Sequence, residues 1–137
     1  MKVDMQLRGV EDVDRLLSKI APNQARNIMR ATVHDMAREV AKDARSGMPR
    51  DEGDLKRSTK HKREKIKGGK VQSTVRVNRR AFYWRFLEYG QGPDGVEYAF
   101  FAKAVQKLRA SWTERFLRSF VKKFESTLAR ARRKQAR

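Results

Sequence analysis

The sequence predicts an α+β fold: a small antiparallel β-sheet packed against a long helix and C-terminal helices. Three patterns predict it. Ala25, Ile28, Met29, Val33, Met36, Ala37, Val40 and Ala44 keep one apolar stripe at helical spacing until Gly47 and Pro49 stop it. Val71, Val75 and Val77 follow Gly68-Gly69 with the residue types of a hairpin arm. Trp112, Phe116, Leu117, Phe120, Val121, Phe124 and Leu128 form the apolar face of a last helix.

Taken in order, Val3, Met5 and Leu7 alternate with polar residues, which predicts a short strand ending at Gly9. Val10, Val13, Leu16, Leu17 and Ile20 predict a first helix, with Glu11, Asp12 and Asp14 favouring its positive N-terminal end. Pro22 suits the first turn of the long second helix. From Met48 to about Lys70 the apolar periodicity fails. The hairpin is placed near residues 59–67 and 71–77, and its first arm is charged on both faces: an edge strand, a ligand-facing strand or a mobile loop. Asn78 is positioned to cap a short helix over Ala81–Glu88 that Gly90 closes, although five aromatics in residues 82–89 also suit a strand. Residues 98–109 read as a helix with Phe100 or Phe101, Ala104, Val105 and Leu108 inward. Ser111-Trp112-Thr113-Glu114 has capping-box spacing, so the chain restarts or bends there. Past Leu128 nothing is left to bury, and a frayed or partner-held tail is expected. Residues 1–129 are read as a single domain, with a basic hairpin at about 56–77, and residues 130–137 as a basic tail.

Charge says more about partners than about fold. The chain carries +18 over 137 residues, but unevenly: +2 over residues 1–49, +8 over 50–80, −2 over 81–102 and +10 over 103–137. Such an excess repels itself unless a polyanion or an acidic neighbour is near. Phosphate neutralisation needs cations along an exposed path, and Lys56, Arg57, Lys60, Lys62, Arg63, Lys65, Lys67 and Lys70 supply one. The opposing explanation is an edge whose lysines discourage aggregation. Arg115, Arg118, Lys122 and Lys123 read as an ordinary solvated helix face, whereas Arg130, Arg132, Arg133 and Lys134 read as an interaction tip for nucleic acid or an acidic protein surface.

Phe82, Trp84, Phe86 and Tyr89, with Phe100 and Phe101, are expected in the core or at a subunit interface, in preference to a base-stacking platform. Glu88 is expected to be a buried or interfacial partner for an arginine. His34 and His61 have no second histidine at ligand spacing, and the chain has no cysteine, so no metal site or cofactor is expected. Phosphate-loop and nucleophile-elbow motifs are missing. Asp51, Glu52 and Asp54 read as turn chemistry rather than a nuclease centre. No apolar run reaches membrane-spanning length and no signal peptide is visible, which predicts a soluble protein.

Three segments in order carry a family likeness: Pro49-Arg50-Asp51-Glu52-Gly53-Asp54-Leu55-Lys56-Arg57-Ser58, Phe82-Tyr83-Trp84-Arg85-Phe86-Leu87-Glu88-Tyr89-Gly90, and Tyr98-Ala99-Phe100-Phe101-Ala102-Lys103-Ala104. Together they resemble the tail-completion or head–tail joining (neck) proteins of long-tailed bacteriophages, the group that includes the minor tail protein Z of lambda-like phages. The chain departs from that pattern at Glu52, Gln91, Ala99 and Lys103. The resemblance implies a non-enzymatic virion component near the top of the tail, assembled in the host cytoplasm as a homo-oligomeric ring, a hexamer being one option. Its partners would be neighbouring tail or connector proteins and phage DNA. A sequence-nonspecific DNA- or RNA-binding protein acting outside the virion is the alternative, and a metal-dependent nuclease a distant third.

Overall fold

The long second helix is the axis on which the other elements pack. In the computed structural model, which describes residues 10–49 and 53–135, α1 (Val10–Leu17) leads into α2 (Pro22–Gly47). Pro22 opens α2 where its missing amide proton costs nothing. The Met48 amide, donating to the Arg45 carbonyl, and Pro49 close it. Ala37, Ala41 and Ala44 are buried along it, and their small side chains let neighbouring elements approach closely. The strand expected over residues 3–7 lies outside the described residues.

Two cores form along this axis. Towards its start, Ile28 packs with Val13 of α1 and with Phe120 and Phe124 of α6 (Trp112–Gln135). Towards its end, Ala44 and Met48 pack with Leu55, Ala81, Leu87, Phe100 and Ala104. The apolar stripes of α2 and α6 therefore pack as their spacing predicts, but the inward set of α5 (Phe100–Ala110) is narrower than expected. Phe100 and Ala104 are buried, whereas Val105 is exposed, as is Trp112 at the start of α6.

The sheet is a two-stranded antiparallel hairpin, β1 (Thr59–Arg63) and β2 (Ser73–Val77), lying on α2. Its register pairs Thr59 with Val77, His61 with Val75 and Arg63 with Ser73 on one face, and Lys60 with Arg76 and Lys62 with Thr74 on the other. The first arm is thus not equally polar on both sides, since Thr59 is fully buried and His61 half-buried. Gly68 and Gly69 take φ of 56° and 74°, the left-handed values a tight hairpin turn demands. Before β1 the chain forms a short helix, α3 (Gly53–Ser58), where no helical periodicity is visible. One buried leucine, Leu55, anchors it, and the Thr59 hydroxyl donates to the Leu55 carbonyl at 2.9 Å. Arg45 of α2 donates to the carbonyls of Lys56 and Thr59, pinning the junction of α3 and β1.

The aromatic segment is a 3-10 turn (Arg79–Ala81) followed by α4 (Trp84–Glu88). Asn78 makes no side-chain cap; its carbonyl accepts from the Ala81 amide instead. Gly90 has φ 76°, and a Cβ there would lie 3.1 Å from the Glu97 Cβ, so a side chain is disfavoured on two grounds. The capping box before α6 does not close. The Ser111 hydroxyl donates back to the Lys107 carbonyl and Glu114 pairs with Arg118, although the chain does bend there. Helix α6 continues to Gln135, through most of the basic segment expected as a tail.

Among the described residues, Glu88 meets no arginine. It is buried, and its two carboxylate oxygens accept from the Phe101 and Ala102 amides at 3.0 Å each. These are orphan donors at the start of α5, whose own cap position is Ala99, a residue with no side-chain acceptor. Ala99 is held in the left-handed region, φ 46°, and its amide donates to the Glu88 carbonyl at 3.1 Å. Glu88 therefore replaces a missing cap from another element and sits at the positive end of the helix. Hydrogen bonds to a charged acceptor are worth about 1.5–3 kcal/mol. Glu88→Ala should cost about 2–3 kcal/mol in urea denaturation, and Arg85→Ala, which loses only an exposed guanidinium contact 5.6 Å from the Trp84 ring centroid, about 1 kcal/mol or less.

Candidate nucleic-acid interface

Helices α2 and α6 run antiparallel, and a polar seam fixes their register. Asp35, Glu39 and Asp43 recur every fourth residue on α2 and so share one face. Asp35 accepts from the Ser119 hydroxyl at 2.9 Å and from the Lys123 ammonium. Glu39 accepts from Arg115 at 2.8 Å, and Asp43 lies 3.8 Å from Arg115 and 3.5 Å from Lys107 of α5. Burial opposes ionisation of Asp35, but the hydrogen bonds from Lys123 and Ser119 outweigh it and hold its carboxyl below the usual carboxylate range. Arg115 and Lys123 are accordingly structural rather than members of a free solvated face.

At the Asp35–Lys123 end of this seam a groove of about 980 Å³ opens between the two helices. Gln24, Asn27, Ala31 and Arg38 line it from α2, and Lys122, Ser126, Arg130, Arg133 and Lys134 from α6. Arg63, the last residue of β1, closes one side. The groove thus brings the two basic blocks of the sequence together, one cation from the hairpin against three from the end of α6. Its one carboxylate, Asp35, is already engaged by Lys123 and Ser119. Among the described residues, no acid pairs with Arg63, Lys122, Arg130, Arg133 or Lys134. An array of uncompensated cations with amide and hydroxyl donors between them suits a chain of phosphates.

The other predicted cations fall elsewhere. Lys60 and Lys62 stand on the outer face of the hairpin beside Arg76, and Lys65, Lys67 and Lys70 surround its exposed turn. Glu64 lies among them, accepting from Thr74 at 2.8 Å and from Arg76 at 3.0 Å, and the Thr74 hydrogen bond keeps its carboxyl below the usual range. Arg57 pairs with Asp54. Lys56 is half-buried, and Arg132 is exposed on α6. Asp51 and Glu52 lie outside the described residues, so Asp54 is the one acid of that turn with a described partner. Local spacing does not single out Arg38 as a groove residue, because its helical face matters only once that face is known to border a groove.

The aromatic set divides. Phe100 is buried, Trp84 and Phe101 are half-buried with their rings edge-to-face at 5.4 Å, and Phe82, Phe86 and Tyr89 are exposed. A second arrangement is invisible to local spacing: His34 of α2 and His61 of β1 meet with ring centroids 4.8 Å apart. The Nδ1 of each is buried without a protein partner. Burial, then Arg63, His61 and Arg38, push the His34 pKa down, with Asp35 opposing. Burial, then Arg38, Arg45 and Lys60, push that of His61 down. Both rings are therefore held neutral beside the groove. Among the described residues, no three histidines, cysteines or acids gather as metal ligands, and no helix is long and apolar enough to cross a membrane.

Comparison with known families matches residues 11–90 to the model of the bacteriophage HK97-gp10-like family, described as a tail component. The match spans α1 through α4 and ends at the Gly90 turn. No curated protein and no solved structure matches the chain.

The histidine pair makes stability depend on pH. Since both folded pKa values are lowered, the unfolded chain binds more protons. Stability is therefore full above about pH 6.5 and falls as pH drops through the lowered values. Urea midpoints measured from about pH 7.5 to 5 should decline for the native chain, and the decline should flatten in His34→Gln/His61→Gln. An equal decline in that variant would assign the acid sensitivity to other groups.

Proposed function

This chain belongs to the HK97-gp10-like family of bacteriophage tail components, and we propose that it is a tail-completion or head–tail joining (neck) protein. In this reading it assembles as a ring near the top of the tail and offers its cationic groove to DNA. Family membership supports a structural role in the virion among other tail proteins, and no catalytic constellation is needed for that role. The observation that carries the DNA contact is the convergence of Arg63 with Arg130, Arg133 and Lys134 on one groove that no free acid answers. A closed ring would repeat this surface around an axis and multiply its field. Duplex or single-stranded DNA passing near it would release condensed counterions, giving affinity that is steeply salt-dependent and nearly blind to base sequence. The exposed lysines of the hairpin, Lys60, Lys62, Lys65, Lys67 and Lys70, would extend the same path.

An acidic surface on a neighbouring tail or connector subunit is the rival occupant of the groove. The two predict different behaviour from the purified protein. Anisotropy titrations with a random-sequence duplex should give a linear fall of log affinity with log salt. Arg130→Glu/Arg133→Glu should lower that slope by about two, since each phosphate left without its cation removes about 0.9. Arg57→Glu, outside the groove, should leave it nearly unchanged. Salt-insensitive, sequence-selective binding would contradict the mechanism. Mass spectrometry of purified particles tests the virion assignment separately, and absence of the chain from tails would contradict that.

A further inference from the structure

The surface carries an apolar knob and an apolar cleft that one copy cannot bring together. The knob is Trp112, 42% exposed at the bend between α5 and α6, with its indole braced against Phe116 at 5.4 Å. Val105, also exposed, and Arg109 lie one turn apart on the adjoining helix. The cleft, about 500 Å³, is walled by Tyr83, Phe86, Leu87 and Pro93, with Gly92 in its lining. Phe86 is 45% exposed at its lip, and Phe82 and Tyr89 on the same segment are 69% and 63% exposed. Exposed aromatics clustered on one short segment are costly to leave in water and mark a contact surface.

Position and charge single out the mate. The cleft adjoins the start of α5, where the Leu87 carbonyl accepts from Tyr98, while Trp112 lies beyond its far end. Eleven residues at 1.5 Å each separate them by about 16 Å. Residues 81–102, which build the cleft, carry the one net negative segment of the chain, −2 against +10 for residues 103–137 that carry the knob. Asp94, near Gly92 and still anionic while it accepts from the Tyr98 hydroxyl and the Val96 amide, and exposed Glu97, packed on Gly90, lie beside the cleft-forming segment. Arg109, exposed and without an acid partner among the described residues, borders the knob. From this we infer that Trp112 of one copy inserts into the Phe86–Pro93 cleft of the next, with Arg109 facing Asp94 and Glu97. Such a contact is heterologous: each copy uses a different surface on its two neighbours, and repetition closes a ring or extends a filament. This rests on the oligomer part of the proposed function and supplies its interface, independently of DNA.

Sedimentation velocity of the purified chain at physiological salt tests the contact. The native chain should self-associate, and Trp112→Ala and Phe86→Ser should each weaken association by about 30-fold or more while circular dichroism shows them folded. The first variant keeps a working cleft and the second a working knob, so an equal mixture should form heterodimers and nothing larger. Self-association of Trp112→Ala at native strength, or a mixture that stays monomeric, would overturn the contact. A native chain that remains monomeric at every concentration would also overturn it, yet would leave the tail assignment standing if the chain is found in particles. Should either variant misfold, the absence of native cysteines gives a second reading. Gln91→Cys protein mixed with Thr113→Cys protein should form disulfide heterodimers faster than either forms homodimers. Equal rates would overturn the contact as well.

Discussion

The seam between α2 and α6 is the constraint on which the remaining architecture depends. Asp35, Glu39 and Asp43 repeat at the helical interval, and Arg115, Ser119 and Lys123 answer them at the same interval in the opposite direction. Apolar stripes alone would let these two long helices slide by a turn, since Phe116, Phe120 and Phe124 recur at that same spacing. Ion pairs between half-buried groups make one register the best one. That register sets which residues of α6 face α2 across the groove that Arg63 closes.

The seam also explains why the surface is so positive. Acids are few, and most described ones are already engaged: three in the seam, Glu64 with Thr74 and Arg76, Asp94 with Tyr98, and Asp54 and Glu114 with arginines one turn away. Glu88 is occupied by the amides of α5. Among the described residues, no carboxylate pairs with Arg63, Lys122, Arg130, Arg133 or Lys134 of the hairpin and late α6. Their mutual repulsion is relieved from outside the subunit or not at all, and the proposed polyanion contact would relieve it.

Much of the fold was legible because its long elements have uninterrupted periodicity. The α2 stripe and the paired glycines of the hairpin turn read correctly, as did the phage-tail family, two of whose segments, Pro49–Ser58 and Phe82–Gly90, lie within the matched residues. What was not legible had non-local causes. Helix α3 rests on one buried leucine and on Arg45 reaching from α2, neither of which leaves a periodic trace. Glu88 reads as an arginine's partner from local spacing, whereas its described partners are backbone amides thirteen and fourteen residues on. Val105 and Trp112 fit an apolar stripe in sequence but face outward because the chain bends at Ser111. At the candidate interface, local spacing identified the two basic blocks but not their meeting point, nor the contact between His34 and His61, because only the packing of the hairpin on α2 brings them together.

Placing the end of α6 and Arg63 against phosphate inside the assembled particle is the central claim. The most direct measurement is nucleic-acid crosslinking of intact particles followed by peptide mapping of this chain. Adducts concentrated on peptides containing Arg63 and Arg130–Lys134, and lost when the particles are emptied of DNA, are the predicted result. Adducts absent from these peptides in DNA-filled particles that contain the chain would contradict it.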